Sequence, residues 1–187
     1  MAHDPQADLI DELVADHREV EEAFSRLEAG MTPDEGHRLV EQTITELVRH
    51  SVVEEQLLYP LAARVLPDGR QLADHEKAEH AEVERMMKEI ERLDPASQEF
   101  VTEVRMWMRS VRSHVEEEET DLMPRLRDAV PADELASLGE QARLLKRVTP
   151  TRPHPSTPNS PLAHATVGPL IGLVDRVRDA VSGRGRA

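Results

Sequence analysis

The chain of 187 residues is 39% hydrophobic and 2% aromatic, and long stretches rich in Glu, Leu, Arg and Ala predict an all-helical protein. It has no cysteine, which excludes disulfides, zinc–thiolate sites and iron–sulfur clusters. A formal net charge of −14 argues against a sequence-independent nucleic-acid binder, and no run is apolar enough to span a bilayer or to act as a leader, so a soluble cytoplasmic protein is expected.

In chain order, Asp4-Pro5 predicts the start of a first helix that runs to Ala29-Gly30. Leu9, Ile10, Leu13, Val20, Phe24 and Leu27 recur at three- and four-residue steps, and His17 falls on the same inward stripe. Thr32-Pro33-Asp34-Glu35 reads as a capping box opening a second helix, whose apolar stripe carries His50 and Glu54 one turn apart. Pro60 is expected to kink or end that helix, with Pro67-Asp68-Gly69 as the turn that follows. A third helix is expected from about Arg70 to Leu93. A fourth, capped by Asp94-Pro95, carries Val104, Trp107, Val111, His114, Glu118 and Leu122 on one face.

A capping fifth helix is expected over Asp133 to Val148. Thr149 to Pro169 holds six of the thirteen prolines and reads as a linker, followed by a short amphipathic piece from Leu170 to Val181. The expected organisation is therefore an up-down-up-down four-helix bundle over residues 1–148 and a Pro-rich tail over 149–187.

The bundle is written twice. HSVVEEQLLYP from His50 aligns with HVEEEETDLMP from His114, and DHREVEEAFSRLEA from Asp16 aligns with EHAEVERMMKEIER from Glu79. His17 thus matches His80, His50 matches His114, and Glu54 matches Glu118. In an up-down-up-down bundle, a pseudo-twofold axis brings these six groups together in an apolar interior. A charged carboxylate buried there without a partner would cost several kcal/mol, roughly, even after relaxation. A pair of cations removes that penalty, and imidazole with carboxylate suits iron, manganese or zinc. Two six-coordinate ions offer about twelve positions, of which four His, two bridging Glu and one solvent-derived bridge fill roughly ten, leaving room for something small.

The pattern H, HxxxE, H, HxxxE over residues from about 9 to 126 resembles the hemerythrin-like proteins of the HHE cation-binding class. The resemblance implies a non-haem centre of two iron ions joined by an oxo or hydroxo bridge, with dioxygen, nitric oxide or hydrogen peroxide as partner. The function expected from it is uptake of a small oxidant or gas for sensing or detoxification. The alternatives are an enzyme that decomposes peroxide or reduces nitric oxide, and iron storage or sensing; a monomer or homodimer is compatible with each.

Two positions depart from the reversible dioxygen carriers of that class. Glu76 stands where they have a histidine, one turn before His80, and is either a seventh donor or a solvated glutamate. Glu118 and Glu119 stand where they have a single later Asp; helical spacing selects Glu118, with Glu55 and Glu119 read as solvated neighbours. His75 rivals His80 by periodicity, but the repeat selects His80. Tyr59 reads as packing or as support for a ligand, and His3, His37, His154 and His164 receive no role.

Overall fold

A computed structural model describes residues 7–148, and every element in it is helical. The expected linker and last amphipathic piece, and His3, His154 and His164, lie outside the described residues. Helix α1 spans Leu9–Glu28, α2 Pro33–Val53, α3 Tyr59–Val65, α4 Gly69–Ile90, α5 Gln98–Glu117, α6 Met123–Ala129 and α7 Ala132–Val148. α2 and α3 form one long rod through a five-residue π turn, Glu54–Leu58, and α5 and α6 do the same through Glu118–Leu122. Each rod packs beside α1 or α4, giving the four-helix bundle expected from the sequence, and α7 closes it by lying against α1 and α2.

The caps move two boundaries. α1 is capped by Asp8, in a box with Asp11, rather than by Asp4; Asp8 is the residue whose side chain meets a free N–H of the first turn, at Asp11. α5 is capped by Ser97, which accepts from the Phe100 N–H at 3.0 Å, whereas Asp94 accepts from Ala96 in the turn before it. The Thr32–Glu35 box forms as read.

Pro60 neither ends nor breaks its rod. A proline lacks the N–H for an α-helical bond, and its ring would strike the carbonyl four residues back. The widened turn avoids both problems: the Tyr59 N–H reaches back five residues to Glu54, and the Met123 N–H reaches Glu118 before Pro124. Both π turns begin at the glutamate of HxxxE, so the backbone widens where those carboxylates leave it.

Gly69 opens α4 directly against α3. A Cβ there would sit 1.8 Å from the Ala62 carbonyl oxygen, so only glycine permits this crossing.

Apolar residues gather in two separate clusters. One, near α7, contains Leu9, Leu13, Leu58, Leu122, Leu126 and Leu135. The other contains Phe24, Ile44, Met87, Phe100, Trp107 and Val111. There the Phe24 and Trp107 rings meet edge-on, 5.1 Å between centroids, a geometry worth about 0.5–1.5 kcal/mol beyond area burial. His17 lies between Leu13 of the first cluster and Val20 of the second, so the polar layer is roofed and floored by hydrocarbon.

Candidate metal centre

All seven residues expected at a metal site are buried, and they meet in that layer. His17 and His50 approach Nε2 to Nε2 at 3.0 Å, and His80 and His114 do so at 3.1 Å. Glu54 spans the two pairs: one oxygen is 2.9 Å from His50 Nε2, and the other is 3.2 Å from His80 Nε2. Glu118 spans them from the opposite side, with Oε2 at 3.5 Å from His17 Nε2 and 3.8 Å from His114 Nε2. Glu76 is 3% exposed, 3.1 Å from His114 Nδ1, so it is not the solvated residue that was one of its two readings.

With every Nε2 facing inward, the four Nδ1 atoms face outward, and each donates to a carboxylate. His17 donates to Glu119 at 2.8 Å and His80 to Glu55 at 3.3 Å. His50 donates to Asp16 at 3.0 Å and His114 to Glu79 at 2.9 Å. Glu55 and Glu119 are therefore not solvated neighbours. The π turn that follows each HxxxE leaves the next glutamate facing the imidazole of the other repeat. Such hydrogen bonds fix the tautomer and aim of a ligating imidazole. The sequence held the signal, since an acidic residue precedes both His17 and His80 and a second glutamate follows each HxxxE.

His75 points outward and is paired with Glu79 and Glu117 at the surface, which upholds His80 as the inward histidine. Tyr59 is fully buried, with its hydroxyl 3.0 Å from both His80 Nε2 and Glu118 Oε1. His37 lies beside Phe100, remote from the cluster.

Electrostatics of the cluster follow from burial against pairing. Burial disfavours the imidazolium of His50, yet Glu54 and Asp16 outweigh it and lift its pKa to about 10. His80 and His114 are raised against burial too, the first by Glu54 and Glu55, the second by Glu76 and Glu79. Burial pushes Glu54 up, but His50 and His80 hold it well below the carboxylate range. Glu118 is raised by burial and by the charge of Glu54.

The donor set fits a cation. Both oxygens of Glu54, and Oε2 of Glu76 and of Glu118, are buried without a hydrogen bond of proper geometry. Among the described residues, one group able to hold a metal ion is His17, His50, Glu54 and Glu118, and two others in this layer are Glu54, His80 and His114, and Glu76, His114 and Glu118. In each, the ligand atoms lie within 4.8 Å of one another.

The hemerythrin HHE cation binding domain matches residues 8–126. The chain belongs to that family. Over 170 residues it is 28% identical to an uncharacterized hemerythrin-like protein of Schizosaccharomyces pombe, covering 90% of this chain and 84% of the other. It is 27% identical over 121 residues to a protein of Nostoc sp. named as a DNA nickase, covering 64% of this chain and 33% of that protein. The crystal structure of a hemerythrin HHE cation binding domain-containing protein from Mycobacterium kansasii shares the fold, with a TM-score of 0.62 at 24% identity, over 75% of this chain and 86% of the other. The chain is thus a hemerythrin-like domain that binds metal ions. No helix among the described residues is long and apolar enough to cross a membrane.

Proposed function

We propose that the cluster holds two iron ions, one on His17 and His50, the other on His80, His114 and Glu76, with Glu54 and Glu118 between them. The centre takes up a small oxidant or gas, dioxygen or nitric oxide, for sensing or detoxification. The observation that carries this reading is the pair of imidazole couples, each converging through Nε2 and both spanned by the same two carboxylates. Bound there, iron would supply a redox-active Lewis acid in a layer sealed by hydrocarbon. The chain's own side chains aim the imidazoles, through Asp16, Glu55, Glu79 and Glu119, and keep bulk water out.

A second reading, decomposition of hydrogen peroxide, is favoured by Tyr59. Its phenol is a buried proton donor 3.0 Å from Glu118, and burial and the charge of Glu118 hold its pKa well above the ordinary value, so the proton stays on the oxygen. Histidine-rich ligation alone serves binding; a proton donor beside the carboxylate serves turnover.

Iron analysis of protein from iron-supplemented cells tests the centre. The expected result is two irons per chain with a near-ultraviolet band, both lost in Glu54→Ala. Iron content no higher in the parent than in Glu54→Ala would sink the proposal. Oxygen evolution on adding peroxide separates the two readings: release by the parent but not by Tyr59→Phe supports turnover, and none from either leaves uptake.

A further inference from the structure

The internal repeat makes positions 12 and 16 of α1 equivalent to positions 75 and 79 of α4, by the same offset that carries His17 onto His80. In the first copy these are Glu12 and Asp16, and an ammonium group sits against both. Lys146, reaching over from α7, places Nζ 2.6 Å from Asp16 Oδ2 and 3.9 Å from Glu12 Oε2. That cation balances Asp16, which holds His50 Nδ1.

Among the described residues the fifth helix, α7, packs on α1 and α2, and the second copy has no counterpart to it. Here the equivalents are His75 and Glu79, and Glu79 holds His114 Nδ1 as Asp16 holds His50. Among the described residues the ion-pair partners of Glu79 are His75 and His114, with no lysine or arginine among them. α5 instead contributes Glu117, with Oε2 3.3 Å from His75 Nε2, while Glu79 Oε1 is 3.6 Å from the same nitrogen. The three ligand atoms lie within 4.8 Å of one another and face solvent.

We propose that His75, Glu79 and Glu117 form a separate divalent-cation site at the α4–α5 seam, occupying the place that the Lys146 ammonium fills in the other half of the bundle. One imidazole and two carboxylates from two rigid helices make a facial donor set with open positions for water, suited to manganese, ferrous iron or zinc. Among the described residues the two carboxylates are met only by imidazoles and by no lysine or arginine, on a chain whose formal charge of −14 draws cations to its surface. An ion held there is one carboxylate away from His114, since Glu79 belongs to both groups.

Manganese titration of the full chain, with free ion followed by paramagnetic resonance in a magnesium background that fills oxygen-only surface sites, tests this. His75→Ala and Glu117→Gln are both exposed changes that leave the interior untouched. The parent is expected to take up one more manganese per chain than either variant, while Glu116→Gln, an equal charge removed one position away, matches the parent. Equal uptake by the parent and His75→Ala overturns the proposal, as does an equal loss in Glu116→Gln. What His75→Ala itself retains reports on the interior centre alone, so failure of that reading is distinguishable from failure of this one.

Discussion

Tyr59→Phe removes one oxygen from the centre and leaves the ring packing intact. That hydroxyl lies within hydrogen-bond distance of His80 Nε2 and donates to Glu118 Oε1, each at 3.0 Å, in a fully buried residue. A hydrogen bond to a charged group contributes roughly 1.5–3 kcal/mol, and Glu118 would be left with a poorly compensated oxygen in addition. A loss of about 2–4 kcal/mol follows for the metal-free form, or about 5–12 °C in Tm for a domain of this size. With metal bound, His80 Nε2 is committed to the ion and Tyr59 keeps only its bond to Glu118. The loss in the loaded form should then fall to roughly half. Thermal unfolding of both forms by circular dichroism measures the two shifts. An unchanged Tm in the metal-free variant, or a larger loss in the loaded than in the metal-free form, would refute the placement of this hydroxyl between ligand and bridge.

Glu55→Ala and Glu119→Ala should each weaken metal affinity by about 10–100-fold without unfolding the bundle, because each frees one imidazole from its orienting carboxylate; competition with a chelator reads the affinity. Gly69→Ala should destabilise by about 3 kcal/mol, since the new methyl meets backbone of α3 and not a movable side chain; a denaturant midpoint at the parent's value would contradict the tight crossing. pH should act on the metal-free form and not on the loaded one. The folded pKa of His50 stands near 10 against 6.5 for the free side chain, so its contribution is complete below 6.5 and is lost as pH rises toward 10. Metal-free protein should therefore lose Tm between pH 7 and 10, about the unfolded and folded values of this group, while the loaded protein, with an ion in place of the proton, should not. Parallel falls in both forms would argue against proton and metal sharing one place. His114→Ala should lose interior metal and His75→Ala should keep it, by metal analysis after gel filtration.

Helical class, the number of long rods and the inward histidines were legible because they rest on periodicity, which a chain carries in its own spacing. His17, His50, His80 and His114 sit on apolar stripes that can only turn inward, and the repeat chose His80 over the outward His75 when periodicity alone did not. The π turns were not legible as such. Pro60 and Pro124 announce a lost hydrogen bond, but that a widened turn rather than a break follows is seen only in the folded chain, where the Tyr59 and Met123 N–H groups reach back five residues. That widening turned Glu55 and Glu119 toward the imidazoles, where spacing counted on an ideal helix had left them in solvent.

Sequence by itself determined which atoms were available: two copies of a helix pair, each with its histidines and glutamates at fixed steps, and an acidic residue before each first histidine. Only the tertiary structure decided how those atoms were shared between copies, because the second contact of each imidazole crosses from one helix to another. The Lys146 ammonium that sits against Asp16 arrives from α7, some 130 residues away in the chain. No local pattern records that distance, and nothing but packing could show that the matching place beside Glu79 is left to a histidine and a second glutamate.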